Sequence, residues 1–189
     1  MSSKPIAVLG ATFDPPHAGH WDSVAQVYAE ADQVWLLPSA SHAFGKQPAA
    51  WEHRLAMLAL GQTVWAAARP VVICPIEAEL LAAQGGQGPV YTYTVLRALQ
   101  QRLHRPLRLV IGPDNAQPQT WARFYQAEAL AREFTPWVVA ERVPGRSSLC
   151  RAALARAWQG ELEFQSLVPL LGAPVVDYIR AQGLYQGSV

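Results

Sequence analysis

The sequence predicts an α/β protein with a Rossmann-like open parallel sheet and helices on both faces. Two observations carry that reading. Short apolar runs alternate with longer stretches of helical period, as repeated strand-helix units require. Pro or Gly then punctuates the ends of those runs, at Gly10, Pro38, Pro75, Gly112-Pro113 and Pro144-Gly145.

Taken in order, the strand candidates are 6–9, 34–37, 71–74, 107–111 and 137–140, each a nearly uninterrupted apolar run of the kind that sheet positions covered on both faces need. Helical period fills the intervals at 19–31, 50–67, 92–103 and 120–133. Two more helices are expected after the last strand, at 148–159 and 174–182, the second stopped by Gly183. In a sheet of this type ligands collect at the carboxyl ends of the strands, so residues at the punctuated junctions carry more weight than similar residues elsewhere.

Composition narrows the function classes. The 189 residues are 51% hydrophobic and 15% charged, which suits one folded domain spanning 1–189, with a helical C-terminal part from about residue 147, and argues against extensive disorder. A net charge of +1 offers no basic face for nucleic acid, so any phosphate recognition has to be local. No apolar run is long enough to span a bilayer, and the N-terminus has no signal-peptide pattern. The two cysteines, Cys74 and Cys150, suggest neither a disulfide framework nor a metal site. The expectation is a cytoplasmic protein without membrane or nucleic-acid partners. Its oligomeric state is left open.

The densest junction is Gly10-Ala11-Thr12-Phe13-Asp14-Pro15-Pro16-His17-Ala18-Gly19-His20, which leaves the first strand and enters the first helix. Free N–H groups and the positive dipole end at a helix start favour phosphate, and Gly19 permits close approach to the backbone. His17 and His20 stand three apart and so project toward one side of a helix beginning at Ala18. Two imidazole donors facing one anion, a metal-binding pair and ordinary surface histidines are the competing readings. A metal pair lacks the further Asp, Glu, His or Cys ligands that a tetrahedral site needs.

A second junction, Arg146-Ser147-Ser148-Leu149-Cys150-Arg151, opens another helix. Ser147 or Ser148 can cap it, leaving backbone donors, a hydroxyl and Arg151 at an anion-facing end. An ordinary serine cap beside a solvated arginine is the plain alternative.

The first junction resembles the Gly-x-Phe-Asp-Pro-x-His-x-Gly-His signature of the nucleotidyltransferase superfamily, with the extra spacing residue shared by many adenylyltransferases of pyridine nucleotide synthesis. The chain is similar to the nicotinate mononucleotide adenylyltransferase family. That resemblance implies contacts from His17 and His20 to the ATP phosphates, with Gly10, Thr12, Phe13 and Gly19 also at the ATP. The second junction resembles the family's Ser-Ser-Thr-x-Ile-Arg, with Arg146 in place of the first serine. Ser147, Ser148 and Arg151 then inherit triphosphate binding, and Arg151 joins the two histidines in the catalytic set.

Three further stretches resemble the pyridine-nucleotide branch. Tyr91-Thr92 matches its helix start and implies acceptor binding, against the alternative of a simple helix cap. Gly112-Pro113-Asp114 matches its Gly-x-Asp loop and implies an ATP-side role for Gly112 and Asp114, against an ordinary turn. Trp121 takes the place of the tryptophan that stacks on the pyridine ring, against a core tryptophan. His42, Lys46 and Arg142 complete the implied acceptor set, although the loop at 39–46 lacks the usual Pro-His-Lys order. The stretch between Arg142 and Ser147 is also shorter than in typical members. The ending Val176 to Tyr185 resembles the family's ending, so the likeness spans nearly the whole chain.

The implied reaction is adenylyl transfer from ATP to nicotinate mononucleotide, with Mg²⁺ accompanying the triphosphate and no metal site in the protein. Nicotinamide mononucleotide, phosphopantetheine and a catalytically weak nucleotide-binding module remain as alternatives.

Overall fold

The computed structural model describes residues 4–40, 48–69 and 71–187. Five strands form one parallel sheet: β1 (Ile6–Ala11), β2 (Gln33–Pro38), β3 (Val72–Ile73), β4 (Leu107–Ile111) and β5 (Trp137–Val138), in the order β3-β2-β1-β4-β5. β1 occupies the middle and is buried from Ile6 to Leu9. Its register sets Val8 beside Trp35 of β2 and Leu109 of β4. The edge strands β3 and β5 are the two shortest and fall inside the wider apolar runs of the sequence. A short edge presents few unpaired backbone groups.

The helices are α1 (Ala18–Val27), α2 (Trp51–Trp65), α3 (Ile76–Ala83), α4 (Thr92–Leu103), α5 (Pro113–Ala116), α6 (Pro118–Trp121), α7 (Ala127–Phe134), α8 (Ser147–Trp158), α9 (Val168–Leu171) and α10 (Ala173–Gln182), with a 3-10 turn at Phe164–Leu167. The single helix expected over 120–133 is broken. Trp121 ends α6, and Gln126 takes a left-handed conformation (φ 56°) before α7 restarts the helix. α3 was not anticipated.

The chain divides into two compact units, each assembled from three stretches. The first comprises Met1–Ala11, Ser23–Lys46 and Val71–Glu141 and holds the sheet. Its core packs Ile6, Val8, Leu37, Leu109 and Ile111 of the strands against Ile76, Leu96, Leu99, Leu130 and Phe134 of α3, α4 and α7. The second comprises Thr12–Asp22, Gln47–Pro70 and Arg142–Val189. It is helical, with Met57 of α2, Cys150 and Leu154 of α8, and Val175, Val176 and Ile179 of α10 in its core. Among the described residues no helix is long and apolar enough to cross a membrane.

Candidate active site

In the second unit the signature segment is held from several directions. Phe13 is fully buried and takes a left-handed backbone (φ 53°), a conformation that costs a non-glycine residue and is kept only where surroundings enforce it. Those surroundings are explicit. Buried Arg54 on α2 donates Nη1 to the Thr12 carbonyl at 2.9 Å and Nε to the Ala49 carbonyl at 3.0 Å. Arg151 on α8 donates Nη1 to the Asp14 carbonyl at 2.7 Å, and Ser147 donates Oγ to the Pro15 carbonyl at 3.1 Å.

Ser147 therefore does not cap α8. The capping position belongs to Arg146, extended at φ −127° and ψ 135°, and no side chain caps that helix end. The hydroxyl fails to cap because Ser147 is already helical and its oxygen reaches the signature loop instead. Ser148 follows it, exposed in the first turn.

The two histidines lie side by side, ring centres 3.8 Å apart and planes 35° from parallel, with the Phe13 ring 4.8 Å from His20. The Gly19 N–H donates to His17 Nδ1 and the His17 N–H to His20 Nδ1, both at 3.2 Å. A ring nitrogen that accepts an N–H carries no proton, so each neutral imidazole bears its proton on Nε2. Burial pushes His17 down to about 4. Burial, and then the charge of His17, holds His20 well below its ordinary range. Near pH 7 the pair thus offers two neutral Nε2–H donors whose orientation the backbone fixes.

Glycine is needed beside them. A Cβ on Gly19 would lie 3.1 Å from the His17 ring, and one on Gly145 would lie 3.0 Å from His17 Nδ1. The short stretch after Arg142 accordingly brings backbone against the imidazole, a role sequence reasoning missed. Arg142 itself bonds Asp22 through Nε at 3.2 Å and Nη2 at 2.8 Å, with half its side chain exposed.

Asp14 was also passed over as an individual residue. It is 4% exposed; Oδ1 accepts the Ala49 N–H at 3.1 Å and the Tyr185 hydroxyl at 2.6 Å, while Oδ2 lies 3.6 Å from Arg151 Nη1.

The first unit contains a cavity of about 230 Å³ at the carboxyl ends of β1, β2 and β4. Strand order reverses on either side of β1, and the cavity lies at that switch point, where ligands of open α/β sheets bind. Gly10, Ser39, Thr92, Gly112, Asn115 and Phe124 are among the residues that line it. Glu77 also lines it and accepts the Ala40 N–H at 2.9 Å. Of the expected residues, Gly10, Thr92 and Gly112 reach this cavity.

Others sit beside it in the sequence without lining it. Tyr91 precedes α4 as an exposed ring stacked on Tyr125, centres 4.6 Å apart. Asp114 is exposed in α5, and its neighbour Asn115 faces the cavity. Trp121 stacks on Phe124 with centres 5.0 Å apart, and Phe124 is the aromatic residue on the wall. His42 and Lys46 lie outside the described residues. No group of three or more His, Cys, Asp or Glu able to hold a metal occurs among the described residues.

A parallel sheet with a cavity at its switch point in one unit, and a histidine pair made into neutral donors in the other, define a nucleotide-handling α/β protein. The chain belongs to the cytidylyltransferase-like family, whose model matches residues 8–153. Within it, the relatives along the full length are adenylyltransferases by name. A "probable nicotinate-nucleotide adenylyltransferase" of Anaeromyxobacter sp. strain K is 36% identical over 198 residues, covering 97% of this chain and 98% of that protein. A Vibrio parahaemolyticus crystal structure, assigned provisionally as a nicotinate-nucleotide adenylyltransferase, is 26% identical with a TM-score of 0.77, covering 97% of this chain and 96% of that one. The Plasmodium falciparum nicotinic acid mononucleotide adenylyltransferase complexed with NaAD matches with a TM-score of 0.72 over 96% of this chain and 97% of its own. At 14% identity that likeness shows the shared fold.

Proposed function

We propose that the protein transfers the adenylyl group of ATP to nicotinate mononucleotide. An oxygen of the mononucleotide phosphate attacks the α-phosphorus, the bond to the β-phosphate oxygen breaks, and pyrophosphate leaves with that electron pair. The product is nicotinate adenine dinucleotide, a step of NAD biosynthesis. The acceptor phosphate is already anionic, so no general base is needed, and the protein supplies alignment and donors for the developing charge.

The observation that carries the reading is the histidine pair, two neutral imidazoles fixed by backbone N–H groups with Nε2–H left to donate. His17 and His20 serve the ATP phosphates, assisted by Ser147, Ser148, Arg151 and the start of α8. Gly10, Thr12, Phe13, Gly19, Gly112 and Asp114 shape the ATP side. Mg²⁺ arrives with the triphosphate as part of the substrate, held mainly by phosphate oxygens and water.

The cavity of the first unit takes the mononucleotide, with Tyr91, Thr92 and Trp121 at the acceptor and Phe124 added to them, while Gly10 and Gly112, which also line it, serve the ATP side of the same rim. Among the described residues no cationic side chain lines that cavity, and a ring carboxylate can be recognised by backbone N–H groups. His42, Lys46 and Arg142 keep a role toward the acceptor in this reading. In this reading 1–189 acts as one catalytic domain. Free thiols at Cys74 and Cys150 suit a reducing cytoplasm.

The test supplies Mg-ATP with nicotinate mononucleotide, nicotinamide mononucleotide or phosphopantetheine and measures pyrophosphate and dinucleotide. Turnover should be fastest with nicotinate mononucleotide. ATP binding without turnover on any of the three would sink the reading.

A further inference from the structure

We infer that Tyr185 is a positioning residue for ATP: its hydroxyl occupies Asp14 and so keeps that carboxylate from drawing the Arg151 guanidinium away from the triphosphate. The inference rests on the ATP-phosphate role given to Arg151 above.

The end of α10 is built to deliver this hydroxyl. Gly183 turns left-handed (φ 61°), and the Leu184 N–H returns to the Ile179 carbonyl at 3.0 Å, closing the helix as a Schellman turn does. Trp158 Nε1 on α8 donates to the Leu184 carbonyl at 2.8 Å and pins the turn from the other side. Tyr185 then takes a second left-handed conformation (φ 62°), which a non-glycine residue adopts at a cost. That cost is set against one short contact, 2.6 Å from the hydroxyl to Asp14 Oδ1. Burial, and then the neighbouring carboxylate, raises the Tyr185 hydroxyl far above its ordinary range, so it remains a donor.

Asp14 is a buried carboxylate whose charge must be shared out. Two neutral donors, Tyr185 and the Ala49 N–H, take Oδ1. Arg151 is left with a 3.6 Å approach to Oδ2, longer than a close charge-assisted hydrogen bond, while its 2.7 Å bond goes to the Asp14 backbone carbonyl. Arg151 is thereby held in place by the backbone carbonyl, with only a long pairing to the carboxylate. Without the Tyr185 hydroxyl, the carboxylate turns to the cation already 3.6 Å from its other oxygen, Arg151.

The experiment uses the full chain as wild type, Tyr185→Phe, Asp14→Asn and the double variant. It measures binding of a non-hydrolysable Mg-ATP analogue, KM for both substrates, kcat and thermal midpoint. Tyr185→Phe should weaken analogue binding and raise the KM for ATP about tenfold, the scale of one hydrogen bond to a charged group. The mononucleotide KM should stay within about twofold, and in the Asp14→Asn background the same change should lose its effect on ATP, as a double-mutant cycle requires of coupled residues. Unchanged ATP binding in Tyr185→Phe, parallel shifts in both KM values, a tenfold loss that persists beside Asp14→Asn, or a Tyr185→Phe protein that does not fold would each overturn the assignment. A wild type that does not bind the analogue would instead overturn the ATP reading, and this inference with it.

Discussion

The signature loop of the second unit and the cavity of the first differ in how tightly their residues are held. In the loop, the Thr12, Asp14 and Pro15 carbonyls each accept a side-chain donor, and a Cβ added at Gly145 would come within 3.0 Å of His17. At the cavity, a Cβ added at Gly112 meets nothing within 4 Å, and Tyr91, next in sequence to the lining residue Thr92, is exposed and stacked on Tyr125. The difference matches what the proposed reaction would ask of each region. Charge stabilisation depends on donors fixed before the reaction, whereas a flat ring can be received by side chains that adjust.

The sharpest way to break this contrast is to remove a donor. His20→Ala should lower kcat by about a hundredfold to a thousandfold, the usual loss of one preorganised donor, while the thermal midpoint moves little. Turnover within a few-fold of wild type would take His20 out of the reaction. Gly145→Ala tests the packing rather than the donor. Displacing His17 by a fraction of an ångström should cost between about tenfold and a hundredfold in kcat. In contrast, Gly112→Ala should leave the fold intact, because its Cβ enters open space. Equal kcat losses and equal stability losses from the two substitutions would erase the distinction.

What the sequence disclosed divides along the same line. All five strands were legible, since parallel strands covered on both faces appear as unbroken apolar runs, and the His17 to His20 signature was legible because its geometry is local. Gln126 was not, because periodicity does not report one left-handed residue, and so a single helix was expected where α6 and α7 stand. Asp14 and Tyr185, 171 residues apart, meet through a hydrogen bond that leaves no pattern in either neighbourhood. Arg54 escaped notice for the same reason, because its partner Thr12 is 42 residues away. The serine cap expected at α8 failed because a hydroxyl there had a tertiary partner, the Pro15 carbonyl, to choose over its own helix.

The cavity side is sharpened by comparing its two stacked aromatics. Phe124 lines the cavity and Trp121 backs it. Phe124→Ala should raise the KM for the mononucleotide about tenfold, within the range of base-aromatic stacking, and leave the KM for ATP unchanged. Trp121→Ala should act on the same parameter more weakly, by loosening Phe124. A larger effect from Trp121 would mean that the bound nucleotide re-sorts the pair and that the tryptophan meets the ring directly.

The mildest prediction concerns pH and again separates the two regions. His17 is depressed to about 4 and His20 lies well below its ordinary value, both by burial first. In the unfolded chain each imidazole takes up a proton near pH 6.5. The unfolded state therefore binds more protons, so stability from these groups is complete above that pH and drains away as pH falls toward 4. The slope is up to about 1.4 kcal/mol per pH unit for each histidine. Urea unfolding between pH 7.5 and 4.5 reads it directly. A His17→Gln, His20→Asn double variant should lose most of the slope, whereas Phe124→Ala should keep it, because it leaves both imidazoles in place. A wild-type profile flat across this range would mean that the two imidazoles are free to protonate in the folded protein, and the neutral-donor account of the signature loop would then fail at its first step.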